Sequence, residues 1–97
     1  MTDSAKIITA LREFMKARSA HYRLLEMAVF GSVAREEATE ASDVDIAVRT
    51  ETADPYNIVH LKEALESHLR CRVDIVRLRE QMNPRLKKRI EREAIYV

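Results

Sequence analysis

The only glycine of this 97-residue chain, Gly31, cuts off a nearly continuous apolar run of Leu24, Leu25, Met27, Ala28, Val29 and Phe30. The run is too brief for a typical helix and reads as a buried strand. Further on, Val44, Ile46 and Val48 alternate with Asp43, Asp45 and Ala47, the period of a strand with two unlike faces. Val73, Ile75 and Val76 mark a third strand. Between and around the strands the apolar spacing turns helical. Ser4 is the expected cap of a first helix that carries Ile7, Ile8, Leu11, Phe14 and Met15 on one face and ends near Ala20. Asp54-Pro55 is a helix-start pair leading to Ile58, Leu61, Leu65 and Leu69, and Asn83-Pro84 opens a last helix through Leu86 and Ile90 towards Ile95. The order αβ, βαβ, α predicts an α/β (α+β) architecture, a small mixed sheet with helices packed on it, rather than a bundle.

Ninety-seven residues, 46% of them apolar, supply one compact core and hardly two, so residues 1–97 are expected to form a single domain. Charged residues are 34% of the chain and leave a net charge of only +1, which singles out neither a nucleic-acid duplex nor a membrane as partner. No apolar run approaches the roughly 18–20 residues that cross a bilayer, and Met1-Thr-Asp-Ser is unlike a signal peptide, so a cytoplasmic location is expected. The single cysteine, Cys71, has no internal partner and reads as a packing thiol.

The chemistry is concentrated in a few residues. Positions two apart on a strand project to one side, so Asp43 and Asp45 share a face while Val44 and Ile46 turn to the core. Two carboxylates that close repel and raise each other's proton affinity, a conflict that a divalent cation resolves. Hard oxygen ligands suit magnesium, which takes one or two protein carboxylates and completes its shell with water and phosphate oxygens. Asp74, inside the apolar third strand, is the expected third member. Gly31-Ser32 directly follows the first strand, where glycine lets the backbone turn sharply and approach a ligand. Val33 to Glu37 has helical composition, so the turn is expected to offer a helix N-terminus to phosphate oxygens.

Gly31-Ser32, the ten residues Val33 to Ser42, and Asp43-Val44-Asp45 resemble the signature of the DNA polymerase β-like nucleotidyltransferases, Gly-Ser, ten residues, Asp-x-Asp. The short chain is similar to their minimal members, often encoded beside a HEPN-domain ribonuclease toxin, and Ser42 and Arg35 also fit that group. The resemblance implies a polymerase β-like palm and an antitoxin that transfers AMP from ATP, with two magnesium ions, to a tyrosine of the toxin. It implies Asp43, Asp45 and Asp74 as metal-holding and catalytic residues, and Gly31, Ser32, Ser42 and Arg35 against the nucleotide. The implied partners are the HEPN-type toxin and ATP, with a homo- or hetero-oligomer left open and no direct contact with nucleic acid. A binding module that neutralises a toxin by occupying its surface is the competing reading, and transfer to a small molecule or RNA a third. Glu36 stands where many relatives carry glycine.

The remaining candidates have plainer readings. His21, His60 and His68 lack helical metal-pair spacing and are assigned structural or surface roles. Arg77, Arg79, Arg85, Lys87, Lys88, Arg89 and Arg92 alternate with Glu80, Glu91 and Glu93 as a solvated helix face or a docking surface for an acidic partner. Arg35 has Glu36, Glu37 and Glu40 within reach as simple ion-pair partners. Tyr22, Tyr56 and Tyr96 are too scattered for a base-stacking platform.

Overall fold

The computed structural model describes residues 3–97. Helix α1 (Ser4–Arg18) leads to strands β1 (Leu24–Phe30) and β2 (Val44–Thr50), then to α2 (Pro55–Leu69), β3 (Val73–Arg77), α3 (Pro84–Glu93) and a short β4 (Ile95–Tyr96). The four strands form one mixed sheet in the order β3-β2-β1-β4. β1 runs antiparallel to β2 and β4, whereas β2 and β3 are parallel and joined through α2. This is the expected small mixed sheet with helices on it, with one strand more than the apolar runs disclosed.

Local chemistry explains most boundaries. The cap of α1 is Asp3 rather than Ser4, since Asp3 Oδ1 accepts the N–H groups of Ala5 at 2.9 Å and Lys6 at 3.3 Å. The Ser4 hydroxyl is used elsewhere, donating to the Val33 carbonyl at 2.7 Å and so tying the start of α1 to the loop after β1. The helix ends at Arg18, two residues before the expected Ala20. Asp54 caps α2 ahead of Pro55, and Asn83 caps α3 ahead of Pro84, both as the sequence suggests. The last helix stops at Glu93 instead of running to Ile95. Ala94 is extended, and Ile95 pairs with Val29 and Tyr96 with Ala28, completing β1's free edge.

The sheet is covered on both faces. Ile7, Leu11 and Phe14 of α1 and Leu61, Leu65 and Leu69 of α2 are almost fully buried against Val29, Val44, Ile46 and Val48. Each such side chain contributes about 1.5–3 kcal/mol through burial. On the other face a smaller cluster joins Phe30 and Ala47 to Ile90 of α3, with Val76, Leu78, Met82 and Leu86 at its margin. Alternation along β2 therefore separates two buried faces, not a buried and a wet one. Cys71 is partly buried against the larger cluster, and burial raises its thiol pKa, as suits a packing residue. Among the described residues, no helix is long and apolar enough to cross a membrane.

Candidate active site

The face under α3 is also the face of the acids. Side chains two apart share a side, so Asp45 lies on the side of Ala47, and the pairs Phe30–Asp45 and Ala28–Ala47 extend that side into β1. In the parallel pair β2–β3, Asp45 stands opposite Asp74 and Ala47 opposite Val76. Helix α3 covers the row of Ala47 and Val76, and the neighbouring row of Asp45 and Asp74 lies just past the apolar patch. Asp43 immediately precedes β2. Its Oδ1 forms an ion pair with Arg72 Nε at 3.0 Å, a solvent-exposed pair worth at most about 1 kcal/mol.

Asp45 sits in a strongly perturbing environment. Burial raises its pKa first, and Asp74 and Asp43 raise it further by charge repulsion, while Arg89 and Arg35 pull it down. Asp74 is exposed, so the cost of burying it is not what distinguishes this residue. What does is its place beside Asp45. Among the described residues no three Asp, Glu, His or Cys side chains are gathered closely enough to hold an ion by themselves. Magnesium asks for less, one or two carboxylates with water and phosphate oxygens around them.

Gly31 serves this row in two ways. Its φ of +74° lies in the left-handed region, and a β-carbon there would collide with Asp45 Oδ2 and lie 3.3 Å from Arg89 Nη2. Glycine is required because the acid packs directly on the turn. After Gly31 the chain makes a hydrogen-bonded turn in place of the expected helix, with Arg35 N–H donating to Gly31 O at 3.1 Å and Glu37 N–H to Ser32 O at 2.8 Å. Glu36, at φ +60°, breaks it. Glu36 occupies this left-handed position at a strain of about 1–2 kcal/mol. Ser32 is half-buried within the turn. Ser42 belongs to the loop before β2, where its hydroxyl accepts from Thr39 N–H at 3.0 Å.

Glu93 and Arg89, which the sequence offers as part of a solvated helix face or a docking surface, both meet the turn. Glu93, the last residue of α3, accepts the Gly31 N–H through Oε2 at 3.1 Å, and Arg35 Nη1 donates to both of its oxygens at 3.0 Å. Arg89 Nε adds a longer contact at 3.4 Å and stacks its guanidinium over Phe30, 5.6 Å from the ring centre. The Glu93 side chain is only 14% exposed. Burial opposes its ionisation, but the Gly31 N–H, Arg35 and Arg89 outweigh that and hold its pKa below the ordinary value. Arg35 thus pairs with Glu37 and Glu93, not with Glu36 or Glu40. The only sequence sign of this cluster was a basic and acidic four-residue spacing, Arg89 to Glu93. The histidines gather elsewhere, along a groove of about 610 Å³ on the helical layer that also meets Arg18, Tyr22 and Asn57.

Residues 12–97 match the family model "Polymerase beta, Nucleotidyltransferase". Over 98 aligned positions spanning all of both chains, the protein is 39% identical to a Methanocaldococcus jannaschii protein named "Putative protein adenylyltransferase". It is 37% identical to "Protein adenylyltransferase MntA" of Thermococcus cleftensis over 94% of this chain and 89% of that one. Among solved structures, one described as a "putative minimal nucleotidyltransferase" superposes with a TM-score of 0.79 at 41% identity, covering 96% of this chain and 94% of the other. The MNT antitoxin complexed with a tri-AMPylated HEPN toxin of Shewanella oneidensis superposes at 0.60 and 27% identity, over 99% of this chain and 71% of that one. With the Gly-Ser turn, the paired acids and the mixed sheet in the arrangement described, the chain belongs to the polymerase β-type nucleotidyltransferase family.

Proposed function

We propose that the protein is an antitoxin-type protein adenylyltransferase, residues 1–97 acting as one domain in the cytoplasm to transfer AMP from ATP to a tyrosine hydroxyl of a HEPN-type partner. The observation that carries the reading is the juxtaposition of Asp45, Asp74 and the Gly31 turn: two acids opposite each other across β2 and β3, one packed against the glycine. The AMPylated toxin bound to a similar antitoxin supports the choice of acceptor. The proton affinity of Asp45 is raised first by burial and then by Asp74 and Asp43, and the part due to crowded negative charge, which a divalent cation relieves, fits a magnesium-binding row.

Asp43 and Asp45 would hold magnesium, with Asp74 available for a second ion. When bound, the metal supplies charge neutralisation at the α-phosphate. The chain's own residues do the rest. The turn of Gly31 and Ser32 positions the outer phosphates, while Ser42 shapes the approach to β2 and Arg35 adds positive charge beside the turn. Asp74, exposed at the sheet's outer strand, can take the proton of the entering hydroxyl as its oxygen bonds to the α-phosphorus. The bond from that phosphorus to the pyrophosphate oxygen breaks, and pyrophosphate leaves.

The test is mass spectrometry of the partner co-expressed with wild-type chain or with the Asp43→Asn/Asp45→Asn double variant. One or more added AMP units with the wild type and none with the variant is the expected result. An unmodified yet inhibited partner overturns catalysis in favour of neutralisation by occlusion.

A further inference from the structure

The carboxylate of Glu93 is held by an unusual set of donors for a residue that only caps a helix end. It meets the backbone N–H of the Gly-Ser turn at 3.1 Å, a two-oxygen contact from Arg35 at 3.0 Å and Arg89 Nε at 3.4 Å. A backbone N–H beside glycine flanked by two guanidinium groups is a nest for an anion with several oxygens. A carboxylate and a phosphate compete for the same donors there. Arg89 also lies next to Asp45, so the nest and the acid row are contiguous.

The geometry points to Glu93 as a built-in stand-in for phosphate, a side chain that occupies the anion subsite formed by Gly31 N–H, Arg35 and Arg89 and must be displaced when a polyphosphate enters. This rests on the reading of the Gly-Ser turn as the phosphate-binding element. The subsite takes either the outer phosphates of a nucleoside triphosphate or free pyrophosphate, which share the same oxygens and charge. Displacement requires rotation of one side chain and no movement of α3. Ile90 is 2% exposed beneath the helix, and the pairing of Ile95 with Val29 and Tyr96 with Ala28 fixes the backbone just after Glu93. Glu93 is therefore a positioning residue that sets nucleotide affinity through Arg35, Arg89 and the turn.

A latch closed in about nine molecules of ten conceals about tenfold of the intrinsic affinity. Calorimetric titration of the full chain with magnesium-ATP, and separately with inorganic pyrophosphate, measures this directly. Glu93→Gln should tighten ATP binding about tenfold. Glu91→Gln, which removes the same charge from the same helix without touching Gly31, should leave binding unchanged. Adding Arg89→Gln to Glu93→Gln should return affinity towards the wild-type value. Equal tightening for pyrophosphate assigns the nest to the outer phosphates, and tightening for ATP with none for pyrophosphate overturns that assignment. Unchanged or weaker ATP binding by Glu93→Gln, with the wild type binding normally, overturns the stand-in and leaves Glu93 a structural brace. Equal gains from Glu91→Gln reduce the effect to bulk charge and also overturn it. Failure of the wild type and of Glu93→Gln alike to bind ATP or pyrophosphate overturns the phosphate reading of the turn and this inference with it.

Discussion

Replacing Gly31 by alanine tests the central geometry, because two separable penalties meet at one atom. The first is backbone strain: at φ +74°, a residue with a β-carbon costs about 1–2 kcal/mol relative to glycine. The second is the collision with the Asp45 carboxylate, whose Cγ lies 3.1 Å from the added carbon. Asp45 must swing away from its rotamer at about 0.5–1.5 kcal/mol. Together these give a loss of roughly 1.5–3.5 kcal/mol, which for a chain of this size lowers the melting temperature by roughly 6–28 °C. Only the second penalty depends on Asp45. In a double-mutant cycle of Gly31→Ala with Asp45→Ala, followed by urea denaturation and far-UV circular dichroism, the double variant should recover about 0.5–1.5 kcal/mol relative to the sum of the single changes. If the two substitutions add to within about 0.3 kcal/mol, the acid does not pack on the turn and the site as described is wrong.

Asp45→Asn should melt at higher temperature than the wild type near neutral pH in the absence of divalent cations. Burial, Asp74 and Asp43 raise the folded-state pKa of Asp45, so the stability associated with its protonated form is present below the ordinary carboxylate range and is lost as pH rises through the raised value. Asparagine keeps the neutral form throughout, and the gap should close below about pH 4; a wild type that is the more stable at neutral pH would show that Arg89 dominates the local field. Magnesium should raise the wild-type melting temperature and leave that of Asp45→Asn nearly unmoved, an equal rise in both chains counting against Asp45 as a ligand. Ile90→Ala, which empties the contact beneath α3, should cost about 2–5 kcal/mol in denaturant unfolding, and a loss below about 1 kcal/mol would mean that α3 is not packed on the sheet as described.

Much of this architecture is written in local chemistry. The apolar run ending at Gly31, the alternation of Val44, Ile46 and Val48, and the pairs Asp54-Pro55 and Asn83-Pro84 each place an element through effects confined to a few residues. The missed elements depended on distant partners. Asp3 rather than Ser4 caps α1 because the Ser4 hydroxyl is drawn to the Val33 carbonyl, 29 residues away. Ile95 and Tyr96 look like the tail of a helix until β1 offers them an edge to pair with. The segment after Ser32 has helical composition but makes a single turn, since Glu36 adopts a left-handed backbone that ends it.

The same division runs through the site. Spacing alone predicts Asp43 and Asp45 on one side of a strand, because side-chain direction in a strand alternates with every residue, and in the structure Asp43 lies just before β2. It also marked Gly31 as a position where the backbone must turn, and the family follows from that motif. Nothing in the order of residues shows that Asp74 stands opposite Asp45, that Asp45 presses on Gly31, or that Glu93 of the last helix reaches the turn 62 positions earlier. Those are contacts between segments remote in the chain, created when burial of Ile90 and Ala47 lays α3 across the acid-bearing face of the sheet. Periodicity reports on a residue's own element, whereas the electrostatic surroundings of a side chain are decided by whichever other elements the hydrophobic core brings against it.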